Sequence, residues 1–119
     1  MNILERLYSG RLILDGGMGT MLQARGLKPG DVSESWALTH PDILTEIHCE
    51  YFAAGCDVAT TNTFGVNGLK YDAQTIERMV SSAVHAARRA ADSFEGKYVA
   101  LDIGPLGRLL RPYGDLPFE

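Results

Sequence analysis

Asp15 ends the apolar run Leu12-Ile13-Leu14, and glycines follow it at positions 16, 17 and 19. Two chemistries suit an acid beside so much bare backbone. Unshielded N–H groups can cradle a phosphate. Alternatively, the Asp15 carboxylate meets a substrate ammonium while the backbone of Gly16 and Gly17 meets a substrate carboxylate, so that one turn grips both charges of an amino-acid head group. The phosphate reading is the poorer one. "GGMGTM" lacks the third glycine of G-x-G-x-x-G, no Gly-Lys-Ser/Thr follows, and no strand with a terminal acid lies about 20 residues on. A plainer reading stays open: Asp15 caps a short helix and the glycines merely turn the chain.

A second polar cluster, "TTNTF", spans Thr60 to Phe64. In a strand, alternate side chains share a side, which groups Thr61 with Thr63 and Thr60 with Asn62. Such a cluster either lines a pocket or closes a strand end by hydrogen bonding. Asp102, in "DIGP", ends a third apolar run. His48 sits beside an apolar helical stripe and reads as a packed, satisfied side chain. Cys49 and Cys56 lie on different elements without a C-x-x-C, which is not a zinc-ligand spacing. Trp36, in a loop, reads as a packing anchor.

These residues need elements to hold them. Leu12 to Leu14 reads as a buried strand, and about Met18 to Ala24 as a short helix. Gly26 to Ser35, rich in Gly, Pro, Ser and acids, reads as a loop. Pro41 opens a helix whose stripe is Leu44, Ile47, Tyr51 and Ala54, with Gly55 as the stop. Val58 to Thr61 is a second strand. About Ala73 to Phe94 is the clearest helix, with Ile76, Val80, Ala83, Val84, Ala87, Ala91 and Phe94 on one face and Gly96 beyond it. Tyr98 to Ile103 is a third strand, and "YGDLPFE", residues 113–119, looks like the start of another helix. Strands alternating with helices imply a parallel α/β fold, whose ligands bind at the carboxyl ends of the strands. All three polar clusters fall there. A closed barrel needs about 250 residues, so the 119-residue chain reads as the N-terminal part, about three of eight βα units, of a (β/α)8 barrel.

Composition narrows the partners. A net charge of -4 offers no match to phosphate electrostatics, which argues against nucleic acid. Arg88-Arg89, the basic cluster, reads as a solvated helix face. No apolar run approaches the roughly 18 residues of a membrane span. "MNILERLYSG" lacks the order of a signal peptide. Two cysteines without a disulfide framework suit a reducing, cytoplasmic setting.

Three stretches together, "LDGGMGTML", "HPDILTEIHCEYFAAGCDVATTNTFG" and "ALDIGPLGRLLRPYGDLPFE", resemble the start of the homocysteine S-methyltransferase domain family, the cobalamin-dependent methionine synthases among its members in particular. The resemblance covers nearly the whole chain. It implies a TIM barrel and methyl transfer to the thiol of L-homocysteine, giving methionine. It implies zinc that binds that thiol and makes the thiolate nucleophile available, with methylcobalamin as methyl donor and folate and cobalamin modules as further partners. Carried over by position, Asp15 and Gly16 match contacts to the amino-acid end of homocysteine, with Gly17 next to them in the same substrate-binding turn. Thr61 matches a threonine of the same pocket, with Asn62 and Asp102 beside it. The family's zinc ligands are three cysteines from later strands, which Cys49 and Cys56 do not match. The chain would thus carry part of the homocysteine pocket and none of the metal site, and would be inactive alone. Rival readings are another (β/α)8 enzyme with an amino-acid-like substrate, and a non-catalytic fragment. Apolar helix faces and an open sheet edge left exposed would argue against a stand-alone piece.

Overall fold

The structure, a computed structural model, describes residues 1–118. It is an α/β arrangement in which helices cover one side of a small parallel sheet. The helices are α1 (Ile3–Tyr8), α2 (Gly19–Ala24), α3 (Trp36–Thr39), α4 (Pro41–Ala53) and α5 (Ala73–Asp92), with a 3-10 turn at Ser33–Ser35. The strands are β1 (Val58–Thr60) and β2 (Tyr98–Ala100), paired in parallel with Val58 opposite Tyr98. Leu14 adds a single parallel bridge to Val58 on the other side.

The strands are shorter than the sequence predicts. The run Leu12 to Leu14 narrows to the bridge at Leu14, and the other two runs stop at Thr60 and Ala100. The outer edges beside Leu14 and β2 have no strand partner among the described residues, so each is paired on one side only.

Helix α4 starts with Pro41, which supplies a helical φ where no N–H is needed. It stops at Gly55, whose φ of +111° a side chain would resist. There the N–H groups of Gly55 and Cys56 donate to the carbonyls of Phe52 (3.0 Å) and Tyr51 (3.2 Å), closing the helix end. Its buried side chains are Leu44, Ile47, His48 and Phe52. Asp72 caps α5, accepting from the Thr75 N–H at 2.7 Å. The buried face of α5 is Met79, Ala83, Ala86, Ala87, Ala90 and Ala91, while the predicted Ile76, Val80, Val84 and Phe94 are only half-buried. The alanines let α5 lie close against α4 and the sheet, so the larger residues flank the contact. Arg88 and Arg89 are exposed, as expected, and Arg89 pairs with Asp42 at 2.9 Å.

Two buried clusters result. Leu22, Leu27, Trp36, Leu44 and Ile47 pack with Ala83 and Ala86; Phe52, Cys56 and Ala59 pack with Ala90 and Ala91. Trp36 does anchor the first cluster, from the start of α3 rather than from a loop, with its ring stacked on His40 at 4.1 Å. The apolar faces of α4 and α5 are therefore covered. The exposed apolar side chains lie mostly on the strand segments and near the termini: Ile13, Leu14, Leu101, Ile103, Leu109 and, on α1, Leu4 and Leu7. Helix α1 itself, unanticipated from the sequence, is closed by a reciprocal Asn2–Glu5 cap and buries none of its side chains.

Asp57 joins the segments at the amino end of the sheet. Its carboxylate accepts from the Ile13 N–H at 2.9 Å and from Arg6 at 3.5 Å, and its carbonyl accepts from the Tyr98 N–H at 2.9 Å. The helix expected to begin at residues 113–119 is absent as far as residue 118, and Glu119 lies outside the described residues. Instead Leu110 and Leu116 bridge, the Arg111 N–H donates to the Leu116 carbonyl at 2.8 Å, and Arg108 pairs with Asp115 at 2.6 Å. Pro117 biases Leu116 toward extended backbone, which opposes a helix there. No described helix is long and apolar enough to cross a membrane.

Candidate functional site

A cavity of about 320 Å3 opens at the carboxyl ends of the strands, within the range of small-molecule pockets, about 300–1,000 Å3. One wall is the backbone of Gly16, Gly17, Met18 and Gly19; the strand ends supply Thr60, Thr61, Asn62 and Asp102, and Ser33 and Phe64 close it. Five of the six residues singled out from the sequence thus line one space. Asp15 stands just behind it.

Asp15 is held by the neighbouring strand. One carboxylate oxygen accepts from the Thr60 N–H at 3.0 Å and the other from the Thr60 hydroxyl at 2.8 Å. It does not cap α2, whose start at Met18 has no side-chain cap. The plainer reading of Asp15 as a helix cap is therefore corrected. Each carboxylate oxygen has a second lone-pair site, so these bonds leave it able to accept from a cation as well. Thr60 was not singled out from the sequence, although its alternation with Asn62 placed both on one side.

Thr61 and Thr63 do share the other side. The Asp102 N–H donates to the Thr61 hydroxyl at 3.1 Å, the two hydroxyls meet at 2.8 Å, and Thr63 donates to the Asp102 carbonyl at 2.6 Å. This closed ring, nearly all buried, locks the end of β1 to the segment after β2 and fixes where Asp102 emerges. The Asn62 amide donates to the Ser33 carbonyl at 2.8 Å and draws the loop before α3 over the cavity.

Two further supports were invisible in the sequence because they join distant segments. Tyr51 of α4 donates its hydroxyl to the Gly17 carbonyl at 2.6 Å, and its ring occupies the space beside Gly16, where a Cβ would come within 3.1 Å of the hydroxyl oxygen. Burial, with Asp15 next and then Cys56 and Glu50, pushes the Tyr51 phenol up, so it stays a donor at neutral pH. Buried Glu34 accepts from the Tyr71 hydroxyl at 2.9 Å and abuts Gly65, where a Cβ would fall 2.6 Å from its carboxylate. Burial and Glu34 push the Tyr71 phenol up to about 12.

His48 departs from expectation. It is fully buried, yet neither ring nitrogen has a hydrogen-bond partner among the described residues. Burial lowers its pKa and the Asp15 charge opposes that, which keeps the imidazole neutral. Burial pushes both the Cys49 and the Cys56 thiols up, away from the thiolate a metal would need. No group of three His, Cys, Asp or Glu side chains that could hold a metal occurs among the described residues.

The model of one family, described as homocysteine S-methyltransferase, matches residues 12–119. The methionine synthase of Mycobacterium tuberculosis is 36% identical over 118 residues, an alignment covering 87% of this chain and 10% of that protein. The Mycobacterium leprae methionine synthase matches to the same extent. Among solved structures, the metallated form of the Escherichia coli homocysteine methyltransferase MmuM superposes with a TM-score of 0.77 at 26% identity, covering 89% of this chain and 42% of that one. Its apo form gives 0.73 at 29% identity. The chain therefore spans about a tenth of the curated relatives and less than half of the structural ones.

Proposed function

The chain belongs to the homocysteine S-methyltransferase family, and from that premise we propose that it forms the N-terminal part of a homocysteine-binding (β/α)8 barrel and supplies the amino-acid end of the homocysteine pocket. The observation that carries this reading is the cavity itself, with glycine backbone on one wall and the Asp15 carboxylate behind it. An α-amino acid presents an ammonium and a carboxylate on one carbon. Asp15 meets the first. The N–H groups of the Gly16–Gly19 turn meet the second, since no backbone acceptor among the described residues takes them. Thr61 and Asn62 frame the pocket, and Asp102 enters it from the far side.

The reaction assigned to the complete protein is methyl transfer to the sulfur of L-homocysteine, yielding methionine. This chain's residues do not fit a metal site, so zinc, like methylcobalamin as the donor and any folate and cobalamin modules, is assigned to parts of the protein outside it. The residues here hold and orient substrate; the sulfur points away from them. The exposed apolar strand residues are where the rest of the barrel closes on this piece.

The test is calorimetric titration of the protein carrying the complete domain with L-homocysteine, beside an assay for methionine formation. Saturable binding that weakens when Asp15 or the glycine turn is altered supports the reading. Equal binding of an amino-acid-free thiol such as ethanethiol overturns it.

A further inference from the structure

The cavity wall at Gly16–Gly19 is glycine-rich, and only the Met18 side chain ties it to the core, yet a binding site for a small anion has to be preorganised. Further support comes from outside the cavity. Tyr51, on the covering helix α4, reaches the Gly17 carbonyl with a 2.6 Å hydrogen bond. Its ring fills the space beside Gly16, 3.1–3.2 Å from where a Cβ would stand. In a trans peptide, C=O and the following N–H point in opposite directions within one plane. A Gly17 carbonyl drawn toward α4 turns the Met18 N–H the other way, toward the cavity that Met18 lines. That N–H has no backbone acceptor among the described residues.

We propose that Tyr51 is a positioning residue: by holding the Gly17 carbonyl it fixes the Gly17–Met18 peptide with its N–H facing the substrate carboxylate. The inference rests on the reading of the cavity as an amino-acid pocket and adds to it the device that sets the carboxylate contact. Gly16 follows from the same contact. A Cβ there would stand 3.1 Å from the Tyr51 hydroxyl oxygen and 3.2 Å from its ring, so the ring would have to shift by a few tenths of an ångström; the glycine thus eases the approach of Tyr51 as well as leaving bare backbone.

The experiment uses the protein carrying the complete domain and two ligands, L-homocysteine and 3-aminopropane-1-thiol, which keeps the amine and the thiol and lacks the carboxylate. Wild type is expected to bind homocysteine more tightly. Tyr51→Phe removes only the hydroxyl. It should weaken homocysteine about fivefold to twentyfold, in line with one lost hydrogen bond, and leave the carboxylate-free ligand within twofold. Gly16→Ala, which displaces the same ring, should reproduce that selective loss, and the double variant should lose no more than the larger single effect. If Tyr51→Phe discriminates between the ligands as wild type does, the positioning role is wrong while the pocket reading stands. Should it weaken both ligands equally, Tyr51 is general scaffolding and the proposal is again overturned. If wild type itself does not discriminate, the amino-acid reading of the turn fails, and this proposal with it. Were Tyr51→Phe unable to fold, Tyr51→Leu, which also removes the hydroxyl, would be read by the same criterion.

Discussion

Replacing Asp15 by Asn separates its two roles. The side chain keeps its size, and the structure shows what it must still do: accept from the Thr60 N–H at 3.0 Å and from the Thr60 hydroxyl at 2.8 Å. An amide has one oxygen for these two donors. The hydroxyl can turn and accept from the new NH2, so the structural cost is that of one neutral hydrogen bond weakened, about 1 kcal/mol. The ligand cost is larger. Losing a charged partner for an ammonium removes about 1.5–3 kcal/mol, or about tenfold to a hundredfold in homocysteine affinity. Asp15→Asn in the complete domain should therefore bind homocysteine that much more weakly, bind an analogue lacking the amino group as wild type does, and keep its zinc. Calorimetry with both ligands, with a chromophoric chelator assay for zinc, reads all three. If both ligands weaken equally, Asp15 only ties the turn to Thr60, and its assignment to the ammonium is refuted. If the mutant loses zinc, Asp15 supports the metal centre instead.

His48, neutral and without a hydrogen-bond partner among the described residues, has a folded pKa below its unfolded value, so the unfolded chain takes up the proton first. Stability should fall as pH drops through and below about 6.5, the unfolded histidine value, and His48→Leu should flatten that slope in denaturant titrations; an unchanged slope would show that another group titrates. At pH 8 the same variant should be neutral or stabilising by about 1 kcal/mol, because it removes two unsatisfied nitrogens. Gly104→Ala should destabilise more than Gly65→Ala: the first methyl runs into the Phe64 carbonyl, which is backbone, and the second meets the Glu34 carboxylate, a side chain that can yield. Thermal midpoints in the reverse order would contradict this. The isolated 119-residue chain, with Ile13, Leu14, Leu101 and Ile103 exposed, should aggregate or melt without cooperativity and bind zinc no better than an arbitrary protein with two separate thiols. A sharp transition for a monomer, or tight stoichiometric zinc lost when Cys49 and Cys56 become Ser, would count against it.

What the sequence discloses depends on how local the cause is. Helix α4 was legible because Pro41 opens it, a 3.6-residue stripe runs along it and Gly55 follows its end, and α5 for similar reasons. The gathering of Gly16, Gly17, Thr61, Asn62 and Asp102 was legible because parallel topology brings strand ends together. Tyr51 on Gly17 and Tyr71 on Glu34 were not, since each contact joins residues 34 or 37 apart and no local pattern marks it. The alanine face of α5 misled for a related reason. Periodicity finds the apolar stripe, but which edge of it is buried depends on how closely α4 approaches. The strand lengths were not legible because an apolar run shows where a strand can lie, while backbone pairing decides where it ends.

Two carboxylates tie the Leu14 segment to β1 crosswise: Asp57 takes the N–H of Ile13, and Asp15 takes that of Thr60. Leu14 makes only a single bridge to β1, and the backbone bonds there are few, from Asp57 and Val58 N–H to the Ile13 carbonyl and from Asp15 N–H to the Val58 carbonyl, so the two side chains reinforce a short ladder in setting how the segments align. Slipping by one residue would break both bonds and turn Asp15 away from the pocket. The spacings Ile13 to Asp15 and Asp57 to Thr60 behave as two sides of a rectangle whose corners are pinned. Side chains within them can be exchanged, whereas a single inserted or deleted residue in either should abolish homocysteine binding even where the chain still folds.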